Sequence, residues 1–342
     1  MSGAEAKKAR RRTVAFQGEV GAFSEAAAKT HFDSVHSEEV DTQGCASFAD
    51  VFASVKDGKT EYGIVPIENS ASGTLHTIYD QLLNHALYIV GECTSIEEHV
   101  FCALPGAKVE NITTVLSHPA MFDQCSEFLG SRDGARAAAS SARIVHESHW
   151  DTAAACSKIE AEQLVNAAAI SSREAAAAHK LDILEEAVGN DKNNETRYLL
   201  LSAVPYELPA LSWQSRLKMK CSVAVALANA PNALFRMVSC FGLRNLNIVK
   251  MESRPATTAG KTVFRANPKG EGKGPPQSIK HWDYIFYVDF EPSWDTDVND
   301  NLMRCLEEFS VGVRNFGMYR QNVPDVLAVH SPWHDVAELA TY

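Results

Sequence analysis

The chain has 342 residues, 45% of them hydrophobic and 22% charged, with a formal charge of −11. That length points to two or three domains, because a single hydrophobic core stops growing well before it. The acidic balance excludes a nucleic-acid binder, and no apolar run approaches the about 20 residues of a membrane-spanning helix. The eight cysteines are scattered without a C-x-x-C pair, which reads as reduced, mostly buried thiols. The stretch Lys7-Lys8-Ala9-Arg10-Arg11-Arg12 is basic but has no apolar segment behind it. It is therefore no secretory signal, and reads as an N-terminal tail over residues 1–12, cytoplasmic or left after a transit peptide is cut away.

In chain order, residues 14–16 predict a short strand ending at Gly18-x-x-Gly21, after which Ser24 caps an Ala-rich helix. Ser47 caps a second helix in which Phe48, Val51, Phe52 and Val55 stand at i, i+3, i+4 and i+7, and Gly58 stops it. Strands are predicted over 62–67, 87–90, 115–116, 144–145, 167–170 and 197–201. Helices are predicted over 74–83, 119–129 with Pro at its first position, 151–162 and 173–179. This alternation predicts an α/β architecture with mostly parallel sheet. Residues 204–216, with Pro205 and Pro209 and no periodicity, read as a linker. Beyond it the order is β-α-β-β-α-β, with strands at 221–227, 246–252, 283–290 and 311–319 and helices at 233–242 and 298–309. That is an α+β ferredoxin-like module over 217–320. A Gly-, Pro-, Lys- and Thr-rich insertion at 256–281 interrupts it, and a tail at 321–342 follows.

Common cofactor signatures are missing. Gly18-Glu-Val-Gly21 is not the dinucleotide G-x-G-x-x-G, and around Gly272-Lys273 a P-loop would need Gly at Asn267 and Ser or Thr at Gly274. His146-Glu-Ser-His149 is one residue short of the H-E-x-x-H zinc motif. The chain has instead a series of polar clusters at strand C-termini: Gly18-x-x-Gly21-x-Phe23-Ser24, Pro66-Ile-Glu68-Asn69-Ser70-x-x-Gly73, Ser117-His118-Pro119, Asp151-Thr152, Ser171-Ser172 and Asn193-Asn194-x-Thr196-Arg197. In an open α/β sheet the ligand lies beyond those ends, where free helix amides favour anions. A small, carboxylate-rich molecule is the expected ligand.

The ordered motifs G-x-x-G-x-[FY]-S at 18–24, P-[IV]-E-N-S-x-x-G at 66–73, S-H-P-x(4)-Q-C at 117–125, A-A-I-x-S at 168–172, N-x-T-R-[FY] at 194–198 and E-S-R-P at 252–255 resemble prephenate and arogenate dehydratases. The likeness runs from about Val14 to Phe316. It implies a catalytic domain over 13–203, built as two α/β lobes around a cleft like a type 2 periplasmic binding protein. Lobe 1 takes about 13–95 and 196–203, and lobe 2 about 96–188. It also implies that the C-terminal module is an ACT regulatory domain binding phenylalanine at the interface of a homodimer or homotetramer, and that the compartment is the cytoplasm or the plastid stroma.

The reaction this implies, prephenate to phenylpyruvate in phenylalanine biosynthesis, couples loss of CO2 to departure of a ring hydroxyl and is driven by aromatisation. It calls for no cofactor and no metal. The resemblance makes Thr196 the donor to the leaving hydroxyl and Arg197 a planar fork for a carboxylate. It gives Asn69, Ser70 and Ser172 the other carboxylate and the keto or amino group, and lets His118 tune charge nearby. Gly21, Phe23, Ser24, Glu68, Gly73 and Asn194 complete the implied substrate site. Asn232, Ala233, Leu234, Glu252, Ser253, Arg254 and Pro255 form the implied regulatory site.

Three departures stand out: Tyr198 where the family commonly has Phe, Asn232 where the effector motif usually has Gly, and the 256–281 insertion. Arogenate, which carries an ammonium in place of the keto oxygen and yields phenylalanine directly, is the alternative substrate. Lys192 beside Thr196 speaks for prephenate, whereas the wording around Gly21-Ala-Phe-Ser-Glu-Ala-Ala is similar to plant and algal arogenate dehydratases. A non-catalytic amino-acid sensor built on the same two folds is the reading from a different class.

Overall fold

The computed structural model describes residues 11–36, 39–138, 143–206, 219–256 and 283–321. Most of the expected N-terminal tail, linker and insertion, and nearly all of the C-terminal tail, therefore lie outside the described residues. The first unit contains β1 (Arg12–Gln17), α1 (Phe23–His36), β2 (Val40–Cys45), α2 (Phe48–Lys56), β3 (Tyr62–Asn69), the two-residue β4 (Gly73–Thr74), α3 (His76–Asn84) and β5 (Tyr88–Ile96). β1 runs parallel to both β2 and β3. The returning strand β11 (Glu195–Ser202) lies antiparallel between β3 and β5. α2 shows how the sequence builds such a unit: the Ser47 side chain accepts from the Asp50 amide, and Val51, Phe52 and Val55 are buried. Capping satisfies an orphan donor while the apolar stripe docks on the sheet.

The second unit holds β6 (Val100–Ala103), β7 (Thr114–Ser117), α4 (Pro119–Gln124), α5 (Ser126–Ala138), β8 (Val145–Ser148), α6 (Thr152–Glu162), β9 (Ala167–Ser171), α7 (Arg173–Ala178) and β10 (Asp182–Glu185). Its sheet has the order β10-β6-β9-β7-β8. Of its four pairings, β10 with β6 and β6 with β9 are antiparallel, whereas β9 with β7 and β7 with β8 are parallel. Both sheets are therefore mixed, where alternation had predicted mostly parallel ones. Strands β2, β6 and β10 were not foreseen: β6 and β10 have four residues each, and β2, with the sequence VDTQGC, is largely polar. Segments so short or so polar carry no periodicity to detect. The helix expected over 119–129 breaks at Cys125, whose amide bonds back to the Asp123 and Met121 carbonyls.

The C-terminal module consists of β12 (Met219–Leu227), α8 (Ala233–Gly242), β13 (Ile248–Pro255), β14 (Tyr284–Phe290), α9 (Thr296–Phe309) and β15 (Gly312–Arg320), with strand order β13-β14-β12-β15. The two sheet faces have different partners. Val223, Val225, Val288 and Phe290 pack under Met237, Phe241, Leu302 and Leu306 of the helices. Ala224, Ala226, Ile285, Tyr287, Phe316 and Tyr319 share one core with Val65, Tyr79, Leu82, Leu199 and Leu201 of the first unit. At the seam β15 meets β5 with Arg320 opposite Gly91, joining the two into one sheet. Gly317 makes the approach possible: a Cβ there would stand 3.0 Å from the Ile89 carbonyl oxygen, and its φ is +117°.

Candidate active site between the lobes

The loop after β1 is held by a carboxylate that the sequence did not single out. Glu25 on α1 accepts from the Gly21 amide at 2.6 Å and from Thr42 Oγ1 at 2.7 Å, and pairs with Lys29 at 2.7 Å. Burial alone would raise its pKa, but these donors outweigh burial and hold it below the usual glutamate value. Across the lobes, Ser172 caps α7: its hydroxyl donates to the Gly21 carbonyl at 2.6 Å and accepts from the Ala175 amide at 2.9 Å. Gly21 has φ +90°, and a Cβ on it would stand 2.4 Å from Ala175 Cα. Only glycine lets the lobes meet here.

Asp151 closes a second point by accepting from the Glu19 amide at 3.2 Å and from Ala154 at 3.0 Å, and its burial raises its pKa. His118 caps α4, with Nδ1 accepting from the Ala120 amide at 3.3 Å. Desolvation holds its pKa below the usual histidine value against the opposing charge of Asp151. Ser171 is fully buried, and its hydroxyl has no partner among the described residues.

Thr196 is held by Asn69. Asn69 Nδ2 donates to Thr196 Oγ1 at 2.8 Å and to Asn194 Oδ1 at 2.7 Å, and all three residues are buried. The Thr196 hydroxyl thus accepts one bond, and its own proton has no acceptor among the described residues. Ser70 ties the same loop to β11: its amide donates to the Glu195 carbonyl at 2.8 Å, and its hydroxyl accepts from the Glu195 amide at 2.9 Å. Gly73 follows with φ +79° in β4. Phe23 stands edge-on to His99 with ring centroids 5.4 Å apart. Ser24 is buried beside Tyr198, whose extra hydroxyl donates to Glu97 at 2.7 Å.

Two expected site residues are not brought to this group. Arg197 turns away from Thr196: its Nε donates to Glu68 at 2.7 Å, and NH1 to Glu92 at 3.0 Å and Asp289 at 3.3 Å. Burial disfavours the charged guanidinium, yet Asp289 and Glu92 outweigh burial and push its pKa up. Glu68 takes Arg197 on one oxygen and Lys250 on the other. Both residues are thus committed to a charged cluster under the C-terminal module, where Lys220 also pairs with Glu92 at 2.8 Å. Strand alternation is the reason: consecutive residues of a strand face opposite sides.

The residues expected to be regulatory lie on the module. Asn232 stands in the left-handed region with φ 65° ahead of α8, Ala233 is half-buried, and Leu234 is exposed. On β13, Glu252 meets His76 at 3.2 Å and Arg254 pairs with Asp80 at 2.7 Å, both across to α3, while Ser253 and Pro255 face solvent.

Two mixed α/β lobes closing on a polar site define a fold of the type 2 periplasmic-binding-protein kind, here with a β-α-β-β-α-β module behind lobe 1. The family profile described as prephenate dehydratase matches residues 14–205. Arogenate dehydratase/prephenate dehydratase 2, chloroplastic, of Arabidopsis thaliana is 35% identical over 306 residues, covering 90% of this chain and 72% of its own. Arogenate dehydratase 2 of Petunia hybrida is 33% identical over 306 residues, covering 90% and 71%. The crystal structure of prephenate dehydratase from Arthrobacter aurescens in complex with L-Phe superposes with a TM-score of 0.72 at 24% identity, covering 96% of each chain. The chain belongs to the prephenate dehydratase family, and with it to the carbon–oxygen hydro-lyases.

Proposed function

We propose that the chain converts prephenate to phenylpyruvate by decarboxylative dehydration, with Thr196 as the hydrogen-bond donor to the departing hydroxyl. The observation that carries this is the Asn69–Thr196 bond: because Thr196 Oγ1 accepts from Asn69 Nδ2 at 2.8 Å, its proton is left for a ligand. As the carboxylate leaves as CO2, its bonding pair enters the ring and the ring C–O bond breaks. The oxygen carries off the C–O pair, leaves as hydroxide stabilised by the Thr196 hydrogen bond, and takes its proton from solvent to become water. A threonine hydroxyl is a weak acid, so its contribution is a preorganised bond that strengthens as negative charge builds on the oxygen. With Arg197 committed to three carboxylates, and the Ser172 hydroxyl and the Glu19 and Gly21 amides already paired, the substrate's own carboxylates are left to the Ser171 hydroxyl and the first amides of α7.

The same site accommodates arogenate, and one observation favours it: both curated relatives described above carry arogenate dehydratase in their names. Lys192, the residue that spoke for prephenate, is exposed. The test is kcat/KM for the two substrates side by side. A ratio above about tenfold, worth about 1.4 kcal/mol, names the preferred one. No turnover of either, with phenylalanine still bound, would leave the non-catalytic sensor as the reading. The relative named chloroplastic supports the plastid as compartment.

For the module we propose an ACT-type regulatory role, in which phenylalanine binds between the Asn232–Leu234 and Glu252–Pro255 segments of paired chains in a homodimer or homotetramer. The β-α-β-β-α-β order supports this, as does a β13 strand that pairs on one side only among the described residues.

A further inference from the structure

The hydrogen bonds behind Thr196 reach further than the motifs that face the ligand. Asn69 Oδ1 accepts from the Ala71 amide at 2.9 Å and the Ser72 amide at 2.8 Å, so its Nδ2 can only be the donor to Thr196 and to Asn194. Asn194 Oδ1 is thereby occupied, and its Nδ2 donates to Gln124 Oε1 at 3.1 Å, with His99 Nε2 standing 3.3 Å away. Gln124 Nε2 donates to Ser72 Oγ at 2.7 Å, and its Oε1 lies 2.8 Å from His99 Nε2. An oxygen and a ring nitrogen attract at that distance only if the nitrogen carries a proton, which assigns the Nε2–H form of the ring. His99 is 2% exposed, and its Nδ1 is buried without a partner among the described residues. Burial holds the imidazole pKa below the usual value against the opposing pulls of Gln124 and Glu97, which keeps the ring neutral.

We propose that His99 and Gln124 are positioning residues for Thr196, acting through the carboxamides of Asn194 and Asn69. A neutral His99 orients Gln124, Gln124 orients Asn194, and Asn194 holds Asn69 with its amino group on Thr196. The chain also crosses the lobes. Gln124 ends α4 of lobe 2, whereas Ser72 and Asn69 belong to lobe 1. The donor is therefore set in full only while the lobes are closed.

The proposal rests on Thr196 being the donor, and the experiment separates the two ideas. Full-length His99→Phe, His99→Gln and Gln124→Met enzymes are compared with Thr196→Ala and with the double variants, in steady-state kinetics. His99→Phe and Gln124→Met should each lower kcat at least tenfold with KM within twofold. Each loss should shrink to less than twofold in the Thr196→Ala background, because a residue acting through Thr196 has nothing left to position. His99→Gln, whose amide nitrogen can stand where Nε2 stands, should recover most of kcat. Losses that add to that of Thr196→Ala, or that appear in KM alone, overturn the proposal. If His99→Phe does not fold, Gln124→Met decides by the same criteria. An impaired Thr196→Ala beside unimpaired Gln124→Met overturns this assignment alone, and a Thr196→Ala enzyme with full kcat overturns both it and the role of Thr196.

Discussion

Thr196 and Arg197 are consecutive on β11 and serve opposite faces of it: Thr196 Oγ1 meets Asn69 at 2.8 Å, while the Arg197 guanidinium meets Asp289 of the C-terminal module at 3.3 Å. The residue proposed to do chemistry and the residue that anchors the module are thus joined by one peptide bond. Their variants should fail in different ways.

Thr196→Ala should lower kcat and leave KM nearly unchanged, since the bond to a departing hydroxyl is made mainly in the transition state. Removal of one preorganised donor costs about 2.7–4 kcal/mol of activation energy. Steady-state kinetics check this, and a variant that keeps most of its kcat reduces Thr196 to scaffolding.

Arg197→Met should act on stability. It strands Glu68, Glu92 and Asp289 around a missing cation, with Lys250 on Glu68 and Lys220 on Glu92 offsetting part of the charge. Removing one partner of a buried pair costs about 3–5 kcal/mol. Arg197→Lys should lose part of this, because a point charge cannot serve three carboxylates from one fork. Denaturant unfolding beside kinetics tests the claim. A normal unfolding midpoint with KM raised tenfold would show that Arg197 binds substrate after all.

The outline of the fold could be read from residues because α2 and β3 carry their own signals: the Phe48, Val51, Phe52, Val55 stripe and the apolar run 62–67. The role of Arg197 could not, since a motif fixes which residues are adjacent in the chain and not which face of the strand each one takes. Ion pairing across 92 positions to Asp289 leaves no local trace. Gln124 did lie inside a recognised motif, but a glutamine five positions past a helix-start proline looks like any solvated residue until Ser72 and Asn194 are seen around it. Glu25 was hidden likewise, as a first-turn acid that helix capping alone explains.

Gly21→Ala should impair closure of the lobes and not their folding. The added Cβ would stand 2.4 Å from Ala175 Cα on the opposite lobe, and φ +90° is unfavourable for alanine. Strain of this kind is worth about 1–3 kcal/mol. kcat/KM should fall at least tenfold, with a slightly larger radius of gyration in X-ray scattering. Unchanged kinetics in this variant would mean that the contact between Gly21 and Ala175 is not needed for turnover.

Glu68 gives stability a pH dependence of known sign. Burial pushes its pKa up, but Arg197 and Lys250 outweigh burial, so the folded value lies below the unfolded one. Between those two values the unfolded chain binds more protons, so stability rises with pH there. The contribution is complete above the ordinary glutamate range and is lost as the pH falls through the folded value. Melting of the wild type should therefore weaken on acidification through the carboxylate range, and Glu68→Gln should weaken less. Equal slopes for the two proteins would assign the acid sensitivity to other carboxylates.

Regulation is best tested by a point change, because the module cannot be removed cleanly. Tyr287, Phe316 and Tyr319 of the module share a core with Tyr79, Leu199 and Leu201 of lobe 1, so a chain ending near residue 206 would expose that face to water. The pair Arg254–Asp80, 2.7 Å apart, offers a narrower handle. Arg254 stands on β13 between Ser253 and Pro255, and Asp80 lies on α3 of lobe 1. An effector bound at β13 can change turnover only by favouring one setting of module against lobe over another. Asp80→Asn removes one partner of this contact without touching the Thr196 group. It should shift the half-effective phenylalanine concentration at least threefold while leaving KM and kcat without phenylalanine within twofold. If phenylalanine acts with unaltered potency on Asp80→Asn, the signal does not pass through this pair.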